Sequence, residues 1–388
     1  MRLLRWIVVV AAIAALVVAA RPYARGLSFV IRAADLQGAP RRLAERNSGA
    51  VRQREIEIPT AGPSLRARVY DPLAPRGRAA LAVPPPGGAG IDGRQIVALA
   101  RHLAASGITV VTPAIPELLG YEIVPSATSN IEQAATWLAS ERSLSPDGKV
   151  GVIGLGFSGG LAVVAAGRAG LAGRAVYVLT IGGHHDLPRV LRYLCTGAAP
   201  RPGNQIRFTD VDRSTFVGTP GVSGVGLLLA GVAPRVVPPA QAPQLRAAVL
   251  QFLDARPERG GRADDGRDEG AGGAGALPEP SATLMRYLRD ADIVHLGARL
   301  LPHVGAYGGD AALSPSRSPK PTAAVFVLHD SSDNVIPEIE AEYLADDLRG
   351  KTPVRMISST LGAGASERPR GAGEIFKLAG FWGDVLAR

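Results

Sequence analysis

Residues Gly154-Leu155-Gly156-Phe157-Ser158-Gly159-Gly160 carry the most chemistry in this sequence, because two functional turns are written over one another in them. Gly156 to Gly160 fits G-x-S-x-G, a sharp strand-to-helix turn that lifts a nucleophilic serine hydroxyl clear of a buried strand. Gly154 to Gly159 fits G-x-G-x-x-G, a turn that lays a pyrophosphate on a helix N-terminus. A dinucleotide site also needs an acidic residue at the end of the next strand, about 20 residues on. That strand, Ala175–Ile181, runs into Gly182-Gly183, and no Asp or Glu follows until Asp186. The NAD(P)-binding reading is therefore the weaker of the two. A third reading leaves the glycines to close a tight turn, with Ser158 capping the helix that follows.

A serine nucleophile needs a base to take its proton, an acid to orient the base, and N–H donors for the oxyanion. Histidines are few. His184-His185-Asp186 follows strand 175–181 and could bring a substitute base toward Ser158. The same trio suits zinc in residue type, but neighbouring residues at a strand end point apart, so no metal is expected there. His295 and His303 lie in a helical stretch that could reach a pocket, His102 lies on a covering helix, and no histidine lies beyond His329. The single cysteine, Cys195, excludes an intrachain disulfide and any cysteine-based metal site.

The elements that must position these residues alternate. Segments 56–59 and 65–70 read as a β-hairpin. Strands 79–83, 108–112, 149–153, 175–181, 323–328 and 354–358 are interleaved with helices 93–105, 129–141, 159–169, 338–349 and 372–387. This rhythm implies a parallel sheet covered on both faces. It breaks over 187–320, where helical pieces (187–195, 243–254, 281–300) surround a low-complexity run, 256–280. That run cannot bury enough apolar surface to order itself.

With 388 residues, 46% of them hydrophobic, the chain can bury a large core. Its formal charge of +9 comes from scattered arginines with no Lys/Arg block and no interleaved aromatics, so no nucleic-acid partner is implied. Arg2 and Arg5 precede an uninterrupted apolar stretch of 15 residues, Trp6 to Ala20. A span needs about 20 residues, and a signal h-region about 7–15. Residues 1–25 therefore read as a signal peptide or an N-terminal membrane anchor, and the body as extracytoplasmic.

From about 54 to 388 the order of elements resembles the α/β-hydrolase superfamily, the esterase-like serine hydrolases. Segment 79–83 with its Gly-rich turn looks like the oxyanion strand. Leu328-His329-Asp330-Ser331-Ser332-Asp333-Asn334-Val335-Ile336-Pro337 looks like the late strand and acid loop, with Asp333 at the triad acid. The insertion at 187–320 falls between the sixth and seventh core strands, where the superfamily places its cap. The resemblance implies a mostly parallel sheet flanked by helices, no cofactor, and a small acyl or ester substrate.

The chain departs from that pattern in three places. The loop after 354–358, where the base belongs, reads Ser359-Thr360-Leu361-Gly362-Ala363-Gly364-Ala365-Ser366-Glu367 and holds no histidine. The oxyanion turn is Pro84-Pro85-Pro86-Gly87-Gly88; proline has no N–H, which leaves Gly88 and Gly159 as donors. The nucleophile has two registers: G-x-S-x-G selects Ser158, whereas Gly-x-Ser-x-x-Gly-Gly, aligned on Gly154 and Gly159-Gly160, puts Gly156 at its place. Two functions follow. One is a serine hydrolase of a carboxylic ester or related acyl bond, using Ser158, Asp333 and a base from His184 or His185, with activity impaired by the missing histidine. The other is a non-catalytic, membrane-associated binding protein on the same scaffold.

Overall fold

A computed structural model describes residues 20–45, 48–74, 78–200, 218–256, 277–359 and 371–388. The expectations for residues 6–19 and for most of 256–280 lie outside the described residues. Among those described, no helix is long and apolar enough to cross a membrane.

The strands are β1 (Val51–Ile58), β2 (Leu65–Pro72), β3 (Arg78–Val83), β4 (Ile108–Pro113), β5 (Val150–Leu155), β6 (Ala175–Ile181), β7 (Ala324–Asp330) and β8 (Val354–Ser359). They form one eight-stranded sheet in the order β1-β2-β4-β3-β5-β6-β7-β8. β1 pairs antiparallel with β2 and β2 with β4, and the other pairings are parallel. This is the α/β-hydrolase fold. β4 and β5 are buried at every position, which is why they read as continuous apolar runs rather than alternating ones. β1 closes one edge with Arg52, Arg54, Glu55 and Glu57 among its residues, charge that discourages pairing with another chain.

The helices are α1 (20–33), α2 (Ala39–Glu45), α3 (Arg94–Ala105), α4 (Pro116–Leu119), α5 (Pro125–Ser140), α6 (Phe157–Ala166), α7 (Leu187–Thr196), α8 (Val222–Val236), α9 (Ala242–Asp254), α10 (Ser281–Arg289), α11 (Ile293–Leu300), α12 (Val304–Gly308), α13 (Ile339–Leu348) and α14 (Ala372–Ala387). Side chains alternate across the sheet as the two-residue period requires. In β3, Ala79, Leu81 and Val83 enter one core with residues of α5, α6 and the inserted helices. Ala80 and Ala82 enter a second core with residues of α1, α3 and α14. α1 belongs to that second core: Phe29 is buried and stacks on Trp382 at 4.0 Å. The folded body therefore includes α1, some thirty residues before the stretch that resembles the superfamily.

Helices α7 to α12 form the cap, between β6 and β7. Helix α8 is absent from the sequence expectation. Its interior holds Gly224, Gly226, Gly231 and Pro234, all weak helix formers. Packing overrides them. Leu228, Leu229 and Val232 are buried, and a Cβ at Gly231 would lie 2.3 Å from the Tyr307 ring. The single helix expected over 281–300 is two, because Ala291 takes a left-handed conformation (φ 52°) and Asp292 then caps α11 by accepting the His295 N–H.

Candidate functional site

At the C-terminal edge of the sheet, β5 ends at Leu155 and α6 begins at Phe157, so one residue makes the turn. That residue is Gly156, with φ 56° and ψ −133°. Such a backbone is costly for a residue with a side chain and is held where strand, turn and helix over-determine it. It is the strained elbow that the G-x-S-x-G motif describes, and here it carries no side chain. A Cβ at Gly156 would meet only Pro85 Cβ, at 3.6 Å, so the vacated position opens into a cleft. Gly154 is needed for a different reason: a Cβ there would lie 2.2 Å from the Ser158 carbonyl oxygen, where α6 crosses the strand.

Ser158 sits one residue inside α6, fully buried, and its Oγ donates to the Pro84 carbonyl at 2.6 Å. Its hydroxyl ties the helix to the end of β3 rather than facing the cleft. Of the two registers left open by the sequence, the backbone gives the elbow to Gly156. The oxyanion donors move with it. The Gly159 N–H, expected as a donor, is bound to the Gly156 carbonyl at 2.8 Å. The donor after the elbow is the Phe157 N–H, which the sequence reading missed. As the first residue of its helix it has no intrahelical acceptor, and it has no other among the described residues. The Gly88 N–H is likewise without an acceptor among them, as expected of a donor.

The cleft has a volume of about 330 Å³ and lies between the Pro85–Gly90 turn, the elbow, the β7–α13 loop and the cap. Asp333 lines it. Its Oδ1 accepts the N–H groups of Val335 (2.8 Å) and Ile336 (3.0 Å), which fixes the loop and aims the carboxyl. Removal from water pushes the Asp333 carboxyl up from its ordinary value of 3.8, against the pull of His329 and these two N–H groups. Gln95 and Ser223 add to the polar wall, and so do Tyr121, Asp254 and Arg256. The Tyr121 hydroxyl donates to Asp254 Oδ1 at 2.7 Å. No pattern in the sequence marks these three; they meet only because the cap folds over the irregular stretch after β4.

Among the described residues that line the cleft, none is a histidine. His184 is fully buried beneath α6, where a Cβ at Gly160 would lie 2.3 Å from its ring. Its Nε2–H donates to the Leu313 carbonyl at 2.8 Å, and burial holds its pKa down, so the ring is neutral. His185 bonds Asp347 Oδ2 through Nε2 at 2.9 Å and lies 3.2 Å from Arg189 Nη2 through Nδ1. His295 bonds Asp292 on the exposed outer side of the cap. His329 Nε2 donates to the Ile336 carbonyl at 2.8 Å. The structure thus brings together Gly88, Gly156 and Asp333, and leaves Ser158, His184 and His185 outside the set. Among the described residues no cluster of three or more His, Cys, Asp or Glu could hold a metal ion.

No protein-family model matches the chain. No curated protein matches it either. Among solved structures it is similar to a hyperthermophilic esterase from the archaeon Pyrobaculum calidifontis (18% identity, 95% of this chain and 93% of that one, TM-score 0.45). It is also similar to a thermophilic carboxylesterase cloned from a metagenomic library (17%, 87% and 90%, TM-score 0.45). A third is a dienelactone hydrolase from Anabaena variabilis (12%, 86% and 96%, TM-score 0.41).

Proposed function

We propose that this chain is a hydrolase-fold protein that does not carry out acyl transfer and instead holds a small ligand in the cleft beneath its cap. The observation that carries the reading is Gly156. The backbone of the elbow is strained for catalysis, yet the nucleophile is missing from it. The Ser158 hydroxyl is spent on Pro84, and the loop after β8 contains no histidine to activate any nucleophile. Loss of a triad member costs about 10⁴-fold or more in rate. The free N–H groups, the carboxyl of Asp333 and the open volume are what remains, and they suit binding. The apolar stretch at 6–20 with Arg2 and Arg5 before it supports placement outside the cytoplasm, held at or exported across a membrane. Fractionation of cells expressing the full chain tests that placement, and intact chain in the cytosol contradicts it. The catalytic question is tested by turnover of p-nitrophenyl butyrate. The wild type and Ser158→Ala are expected to match the uncatalysed rate, and turnover that Ser158→Ala abolishes would overturn the reading.

A further inference from the structure

The polar groups of the cleft are not balanced. Among the described residues two carboxylates line it, Asp333 and Asp254, with one cation, Arg256, whose guanidinium lies over the Phe252 ring at 4.4 Å. Asp333 has one oxygen left over. Oδ1 is taken by two backbone N–H groups, but Oδ2 has no hydrogen-bond donor among the described residues. His329 Nε2 stands 4.0 Å from it, with its proton committed to the Ile336 carbonyl. In a complete triad an imidazole N–H would fill that oxygen; here nothing in the described chain does. A carboxylate oxygen with no protein donor, on the wall of a cleft, gains most from a ligand that brings a charged donor. The cleft-lining residues Phe157 and Gly88 carry unmet groups of the opposite kind, N–H donors without an acceptor among the described residues, with the Asp254 carboxylate beside Gly88. Leu227, Leu253 and Val335 supply apolar wall.

Resting on the reading of the cleft as a ligand seat, we propose that its ligand is a small organic cation. The ammonium meets Asp333 Oδ2, a carbonyl of the same molecule faces the Phe157 and Gly88 N–H groups, and a short apolar chain lies against Leu227 and Leu253. The volume of about 330 Å³ falls at the small end of small-molecule sites. The surface as a whole cannot produce this preference, because a chain of formal charge +9 attracts anions.

The test is calorimetric titration of the full chain near neutral pH with three probes of one shape: L-leucinamide, 4-methylpentanamide, which lacks the ammonium, and 4-methylpentanoate, an anion. L-Leucinamide is expected to bind about tenfold more tightly than 4-methylpentanamide, the gain of one charge-assisted hydrogen bond, and 4-methylpentanoate most weakly. Asp333→Asn, checked for wild-type near-UV circular dichroism, is expected to bring the first two within about twofold of each other. Glu57→Gln, on the exposed edge strand β1, is expected to leave the gap intact. Equal binding of the three, preference for the anion, no binding at millimolar concentration, or a cation preference that survives Asp333→Asn each overturns the proposal. Ester turnover by the wild type would instead overturn the non-catalytic reading, whatever the ranking of the probes.

Discussion

Two polar clusters stand side by side along the C-terminal edge of the sheet, and they are built on opposite terms. Beyond β6, the fully buried carboxylate of Glu340 accepts from Arg189 Nε at 2.5 Å, from Arg189 Nη2 at 3.0 Å, and from the N–H groups of His185 and Asp186. Asp347 accepts from Lys320, Lys351 and His185, which together outweigh burial and hold its carboxyl well below the usual carboxylate range. In the cleft beyond β5 and β7, among the described residues, Asp333 keeps an unfilled oxygen, the Phe157 and Gly88 N–H groups have no acceptor, and the elbow has no side chain. The first cluster contains His185, one of the histidines that sequence chemistry singled out, and its polar groups are paired with one another. The second contains almost no conspicuous residue types, and it is where a ligand can be met. Satisfied polar groups mark architecture, and unsatisfied ones around a cavity mark function.

The comparison breaks most visibly under truncation. Glu340→Ala strands the Arg189 charge in a partly buried site, and the expected loss is about 3–5 kcal/mol by urea unfolding. A loss below about 1 kcal/mol would show that the β6 cluster is not structural. The glycines give the next largest contrast. Gly154→Ala drives a Cβ into the Ser158 carbonyl, at an expected cost of about 3 kcal/mol. Gly156→Ala meets only Pro85 Cβ, in ordinary contact at 3.6 Å, and costs about 1 kcal/mol for its positive φ. Equal losses would mean that the elbow does not sit at Gly156.

Titration sharpens the contrast further, because the two clusters shift in opposite senses. Asp333 has a folded pKa above 3.8, so its contribution to stability is fully present below 3.8 and is lost as pH rises through the folded pKa. Asp333→Asn is therefore expected to match the wild type in acid and to be the more stable protein near neutrality. His184 has a folded pKa below 6.5, so its contribution is present above 6.5 and is lost as pH falls below it. The wild type is expected to lose stability on acidification from pH 6.5, and His184→Gln to lose less over the same range. Unfolding curves at several pH values check both signs. The smallest effect is that of Ser158→Ala, about 1 kcal/mol for one hydrogen bond to Pro84.

Much of the fold was legible because burial on both faces writes itself into the chain. Runs such as Val150–Leu155 and Ala175–Ile181 are apolar throughout, and turns at Gly and Pro separate them. Helix α8 was not legible, since its glycines are selected by Leu253 and Tyr307, which approach from other elements. At the site, Asp333 could be placed because it follows a strand that is unmistakable. The elbow could not. Whether the strand stops at Leu155 or runs two residues further is a matter of backbone pairing, and Gly156 and Ser158 satisfy overlapping patterns. Asp254 and Tyr121 meet across 133 residues of sequence, and local spacing carries no trace of such a contact.

On the non-catalytic reading proposed above, no activated nucleophile faces the cleft. Intact-mass measurement of the folded chain after incubation with a fluorophosphonate tests it most directly. The expected spectrum shows the unmodified protein alone, for the wild type and for Ser158→Ala alike. A single adduct on the wild type that disappears in Ser158→Ala would contradict the account.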